Sequence, residues 1–432
     1  MAYAPRPLNN HPGKKLAVKN SAHLFPSTRR EFLRLTGSGI GLLAFSQFAP
    51  RFLIQSALAE TPAPEKDRSI LVLVQLAGGN DGLNTLIPFE DANYYRLRPT
   101  LGIPKDQVLR LNDTLGLHPA CTELHALAHD GKLGIVQNVG YPNPNRSHFR
   151  STDIWETSSD SDQILSTGWL GRFLDNTCPG APADPADPAA VHLSNEVPGA
   201  FLSAQSHPTF GLNLNQFNRR DNPQNLAFLE SLVHHDHPGN ASASFLQQTM
   251  MDALVTEKRV QHVLSSYQTA AKYPGNPFAQ SLRNVVALIA AGLSTRVYFV
   301  SLGGFDTHAN QLNQHQNLMR TLSEGLATFQ KDLETHKLAG QVLTMTFSEF
   351  GRRPLENESH GTDHGTAAPL FVMGSRIKGG LHGTPPSLQF ERNQDLTFST
   401  DFRQVYATVL DRWLQCPAMQ VLGKSYEPVA FI

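Results

Sequence analysis

Cysteine is scarce in this 432-residue chain: Cys121, Cys178 and Cys416 are the only three, and no two form a Cys-x-x-Cys pair. No thiolate zinc site is spelled out, and an odd number allows at most one disulfide. Charge is sparse too. With 17% charged residues and a formal net charge of −1, nothing basic enough to bind nucleic acid is present. Beyond residue 59 no apolar run reaches the roughly 20 residues of a spanning helix, so no mature transmembrane segment is expected. Gly78-Gly79 lacks the downstream glycine spacing of a dinucleotide fingerprint, which excludes a Rossmann cofactor site.

What is present begins with an export signal. Ser27-Thr28-Arg29-Arg30-Glu31-Phe32-Leu33 sets paired arginines before Phe-Leu, the pattern read by the twin-arginine translocase. A weakly apolar stretch from Leu35 to Ala49 follows, diluted by Gly37, Gly39 and Gly41. Ala57-Leu58-Ala59 then offers small residues to signal peptidase, making Glu60 the first mature residue. Residues 1–59 therefore read as a twin-arginine signal peptide and 60–432 as a single mature domain, expected in the periplasm or outside the cell. Export of folded cargo raises the expectation of a metal or cofactor inserted before transport.

Along the mature chain, short apolar runs alternate with helical patterns. This implies an α/β fold, with a mostly parallel central sheet covered by helices on both faces. The clearest strands are Ile70–Leu76, Leu133–Val139, Val297–Leu302, Val342–Phe347 and Pro369–Met373. Helical periodicity marks His118–Asp130, Phe278–Leu293, Asn310–His336 and Asp401–Leu414. From about 141 to 239 the alternation breaks, with prolines at 179, 188, 198, 208 and 223, and an inserted cap folding over the sheet is expected. His234-His235-Asp236-His237 at its end reads as a solvated loop before Pro238 more readily than as a metal site.

Four strands run into polar clusters: Gly78-Gly79-Asn80-Asp81-Gly82, Asn145-Arg146-Ser147-His148, Gly303-Gly304-Phe305-Asp306-Thr307-His308 and Ser348-Glu349-Phe350-Gly351-Arg352-Arg353. A parallel sheet collects the carboxyl ends of its strands on one edge, so Asp81, Ser147, Asp306, His308 and Glu349 are expected to converge there. Asp306 and His308, two apart, project to the same side of an extended segment. Asp363-His364 adds a further carboxylate and imidazole. Grouping these acids without a cation would cost several kcal/mol in repulsion. Carboxylates and imidazoles without thiolates suit a divalent metal, one or two ions of zinc, manganese or calcium. Arg352, Arg353 or Arg146 would fork onto an anionic group, and His148 or His308 would move protons or bind metal.

These blocks, taken with Leu83-Asn84 after the first and Phe149 after His148, resemble in order those of a bacterial family labelled domain of unknown function 1501, whose members typically carry the same export signal. The resemblance implies a fold related to the alkaline phosphatase and sulfatase superfamily. It implies Asp81 as a first-strand metal ligand, Asp306 and His308 on one metal, and Glu349, or Asp363 with His364, on the other. His382 would match a late histidine ligand. Ser147 would be the nucleophile, or else the N-cap of a helix from Phe149 to Trp155. There are departures. Asp306 and His308 stand closer together than in the phosphatases, Ser348-Glu349-Phe350 replaces an expected Asp-His, and no Cys or Ser precedes x-Pro-x-Arg, which excludes a formylglycine sulfatase. The expectation is a metal-dependent hydrolase of an anionic phosphate or sulfate ester, with Ser147, His148 and Arg352 catalytic. The alternative is a non-catalytic secreted or surface binding or assembly protein that keeps the fold.

Overall fold

The structure, a computed structural model, describes residues 68–176, 187–194, 196–205, 207, 209–212, 259–389 and 394–432. The signal peptide and the His234–His237 run lie outside the described residues. The central sheet has nine strands: β1 (Ile70–Ala77), β2 (Leu133–Gly140), β3 (Ala190–Leu193), β4 (Thr209–Gly211), β5 (Val297–Gly303), β6 (Val342–Phe347), β7 (Ala368–Met373), β8 (Gly380–His382) and β9 (Thr400–Asp401). Their spatial order is β8-β2-β7-β6-β1-β5-β3-β4, with β9 beside the end of β2. β1 lies parallel between β5 and β6, its Leu73 level with Phe299 and Met345.

Both faces of the sheet are covered, which is why its strands read as unbroken apolar runs. Helix α1 (Ala92–Leu97) belongs to a separate small core through Tyr94 and Leu97, while Ile70, Val72, Val74 and Leu76 pack in one large core with helices α2 (Thr122–His129), α4 (Pro277–Ala290) and α5 (Gln311–Thr335). Leu71 and Leu73 face the opposite core, shared with α3 (His148–Thr157) and α6 (Phe402–Thr408). Trp155 of α3 stacks on Phe402 at 4.4 Å between ring centroids, fixing α3 against that face.

Two features depart from the sequence reading. The expected strand at Pro369 is β7, and it runs antiparallel to both neighbours. Its amino end therefore lies where the other strands have their carboxyl ends, and that reversal carries the preceding Thr362–His364 to the same edge. Within 141–239, β3 and β4 extend the sheet beyond β5. Strands of four and three residues are too short to announce themselves by periodicity.

Candidate metal centre

At the carboxyl edge, the backbone first makes room. Gly78 and Gly79 leave β1 with φ of +120° and +83°, a region open to glycine. A Cβ on Gly78 would sit 2.4 Å from the Asp306 amide nitrogen, so the β1 and β5 turns touch backbone to backbone. The Gly78 N–H donates to Glu349 Oε1 at 2.8 Å, joining the turn after β1 to the turn after β6. Ser348 seals the same junction, donating to Leu76 O at 2.7 Å and accepting from Asn80 N at 2.9 Å.

Four side chains then converge. His148, the first residue of α3, holds Nδ1 2.8 Å from Glu349 Oε1 and Nε2 3.6 Å from Asp306 Oδ2. Asp306 Oδ1 lies 3.0 Å from His308 Nε2 and 3.1 Å from His364 Nε2. The Nε2 atoms of His308 and His364 are 2.9 Å apart. The cluster is open to solvent, with the Asp306 side chain 48% exposed and His148 34%.

The backing hydrogen bonds fix the tautomers. His364 Nδ1 is 2.8 Å from the Arg146 carbonyl, which only accepts, so Nδ1 carries the proton and Nε2 presents a lone pair. Glu349 likewise receives the Nδ1 proton of His148, leaving that ring's Nε2 lone pair toward Asp306. Lone pairs thus face a carboxylate, an arrangement that a proton or a cation must bridge. A carboxylate or carbonyl behind each ligating imidazole is how proteins orient histidine on metal. His148, Asp306 and His364 also bring their ligand atoms within 4.8 Å of one another. The donor set fits a divalent cation, and its imidazole content suits zinc or manganese better than calcium.

Arg352 organises the floor. Its guanidinium donates to the carbonyls of Gly79 (2.8 Å), Thr362 (2.8 Å), Phe305 (3.0 Å) and Gly78, and to Asp306 Oδ1 at 2.6 Å. Burial pushes the Asp306 carboxyl up, but the hydrogen bond and charge of Arg352, together with the neighbouring imidazoles, outweigh it and hold the group at about 2. The Glu349 hydrogen bond raises His148 above its ordinary value.

The other expected site residues fall elsewhere. Asp81 is buried beside the edge, 2.6 Å from Arg98 Nη1, and also accepts from Gln311. Burial acts to raise Asp81, and the charge and hydrogen bond of Arg98 more than reverse it. An acid already neutralised by a buried arginine has no need of a metal, so Asp81 is a structural anchor. Glu349 stands behind His148 and does not face the cluster centre. Asp363 occupies the rim, 3.6 Å from His308 Nδ1 and 3.1 Å from Asn357 Nδ2. His382 sits on β8 level with Val136, toward the amino end of β2, and contacts Lys378 O at 2.8 Å, away from the cluster. Arg352 is 1% exposed and engaged by carbonyls, so it cannot fork onto a ligand. Two cations stand at the rim, the exposed Arg146 and the half-buried Arg353, both beside Asp395 at 3.3 and 3.5 Å. Ser147 occupies the N-cap position of α3 but makes no side-chain capping bond, and its hydroxyl is exposed. Sequence reasoning missed Gln311, which is fully buried, accepts from Thr307 at 2.9 Å and also from Thr362, and so locks the residues before His308 and Asp363.

Residues 68–417 match the family described as protein of unknown function (DUF1501). The chain belongs to this family. No curated protein matches it in sequence. Similar solved structures include a protein in the alkaline phosphatase superfamily from Vibrio parahaemolyticus (8% identity, TM-score 0.34, 76% of this chain and 69% of that one). Another is the C-terminal periplasmic domain of EcEptC from Escherichia coli in complex with Zn (12%, 0.34, 72% and 75%). A third is the lipoteichoic acid synthase LtaP from Listeria monocytogenes (9%, 0.30, 76% and 72%). Among the described residues, no helix is long and apolar enough to cross a membrane.

Proposed function

We propose that this member of the family is an exported, metal-dependent hydrolase of phosphate or sulfate esters. The observation that carries the reading is the convergence of His148, Asp306, His308 and His364, with ring nitrogens oriented from behind by Glu349 and the Arg146 carbonyl. These four residues would hold the cation. A bound divalent ion supplies polarisation of an ester oxygen and an acidified water.

The chain's own residues do the rest. Arg352 and the Gly78–Asp306 backbone contact keep the acid rigidly placed, which preorganises the site. Arg146, exposed, and the half-buried Arg353 supply the positive charge that would draw an anionic ester to the rim. Asp363, on the outer side of His308, orients that ring. Ser147 is at the mouth of the site, but no base contacts its hydroxyl, so water is the better nucleophile. That same exposed, unassisted serine is the one observation favouring a non-catalytic binding or assembly protein.

The paired arginines and the Ala57-Leu58-Ala59 site support export by the twin-arginine translocase and cleavage by signal peptidase. The disulfide at Cys416 agrees with an oxidising compartment. The test is hydrolysis of 4-nitrophenyl phosphate, bis(4-nitrophenyl) phosphate and 4-nitrophenyl sulfate by protein loaded with zinc or manganese. Turnover that disappears in His364→Ala is expected. Fully metallated protein inert toward all three would leave the binding reading in place.

A further inference from the structure

Beside the cluster lies a cavity of about 670 Å³ that none of the reactions above uses. Gly303, on its wall, is three residues before Asp306. Thr152 and Glu156 also line it, and they follow His148 by one and two turns along the same face of α3. The cavity therefore opens onto the same sheet edge as the metal centre. Its size is that of an ordinary small-molecule site.

The lining is specific in what it includes and what it lacks. Apolar walls come from Leu193, Leu212, Phe278 and Phe299. Polar groups come from Gln75, Thr152, Glu156 and Ser281, among others. Among the described lining residues there is no lysine, arginine or histidine, and there are two carboxylates, Glu156 and Glu196. Such a wall repels an anion. Several polar atoms have hydrogen-bonding capacity to spare. Gln75 accepts from Ser301 Oγ at 3.2 Å, which leaves its amide nitrogen free to donate. Glu156 accepts one bond, from the Gly199 N–H to Oε2 at 2.8 Å, which leaves Oε1 free to accept. The hydroxyls of Thr152 and Ser281 have no protein partner among the described residues. Donors and acceptors are mixed around apolar faces, the pattern that matches hydroxyl groups carried on a flat-faced ring. Burial also pushes the Glu156 carboxyl up to about 7, so around neutrality it offers a hydroxyl as readily as a negative charge.

We propose that this cavity binds an uncharged, hydroxyl-rich group of disaccharide size or smaller, and that this group is the alcohol portion of the ester presented to the metal centre. Only the second half rests on the hydrolase reading. Binding in the cavity needs no metal and no turnover, so the two readings fail separately.

The experiment screens the mature chain, dialysed against EDTA, on an array of neutral, cationic and anionic oligosaccharides, followed by calorimetry with the strongest neutral hit. Neutral glycans should bind without metal. Thr152→Trp, which fills the cavity from α3, should weaken binding at least ten-fold. Val197→Trp at the 60% exposed rim should also weaken it, and that position carries little risk to folding. Glu156→Gln keeps the acceptor and should cost no more than about ten-fold. Absence of any neutral ligand would overturn the proposal, as would neutral binding that both tryptophan variants leave unchanged. Preference for amino sugars, abolished by Glu156→Gln, would also overturn it by making the cavity a cation site. Glycan binding by a protein that takes up no metal would refute the hydrolase reading and spare this one.

Discussion

Asp81→Asn separates structure from metal binding most sharply. Asp81 and Arg98 are 0–1% exposed and 2.6 Å apart, and Arg98 also donates to Asn84 Oδ1 at 2.7 Å and the Pro354 carbonyl at 2.9 Å. The asparagine keeps the shape and removes the charge, so the guanidinium stays buried without a counter-ion. Breaking a buried pair in this way costs about 3–5 kcal/mol. Unfolding entropy near 2.1 cal/mol/K per residue, over roughly 360 residues, gives about 0.8 kcal/mol/K, hence a fall in Tm of roughly 4–6 °C. Scanning fluorimetry with and without chelator, beside elemental analysis, reads both consequences. The fall should be the same in either buffer, and bound metal should stay at the wild-type level. A variant that loses metal, and whose deficit vanishes once both proteins are chelated, would show that Asp81 is a ligand after all.

Three further outcomes are expected, two from the geometry and one from the export motif. Glu349→Gln removes the carboxylate behind His148 but not a ring nitrogen, so metal affinity should drop about 10–100-fold in a chelator competition, and unchanged affinity would contradict the orienting role. Glu156 has a folded-state pKa of about 7, above its ordinary 4.5, so the folded state holds the extra proton. Its contribution is therefore fully present below about pH 4.5 and lost as pH rises through 7. Wild-type stability should fall across that window by an amount on the order of 3 kcal/mol, and Glu156→Gln should flatten the profile; parallel profiles would refute the assignment. Replacing Arg29 and Arg30 by lysine keeps the charge and should strand the precursor in the cytoplasm, whereas normal export in cell fractions would reject the twin-arginine reading.

Much of the fold was legible because buried parallel strands are continuous apolar runs. Val342–Phe347 coincides with its strand, and Ile70, Leu133 and Val297 begin theirs. The long helix ends one residue inside its expected limits on each side. The helix expected over Asp401–Leu414 is α6 only to Thr408, then continues as a π-helical turn over Val409–Trp413. Period alone does not separate those two windings.

In the site, collecting strand ends on one edge named Asp81, Ser147, Asp306, His308 and Glu349; Asp306, His308 and Glu349 stand there beside His148, whereas His364 arrives by the reversal of β7. The roles expected of Asp81 and His382 from the family resemblance, and of Arg352 as an anion fork, do not match their surroundings, each for a long-range reason. Nothing near Asp81 in sequence says that Arg98 will neutralise it. Arg352 looks like an anion fork until the turns after β1 and β5 aim their carbonyls at it. His382 is a histidine in a short strand whose register puts it at the wrong end of β2.

The central claim is that His148, Asp306, His308 and His364 hold a divalent cation. Elemental analysis of the mature protein purified from the periplasm, with zinc titration by calorimetry after chelation, tests it directly. At least one equivalent of zinc or manganese per chain is expected, falling ten-fold or more in the Asp306→Asn/His364→Gln double variant at unchanged circular dichroism. Wild-type protein that carries no metal and takes up no micromolar zinc would contradict it.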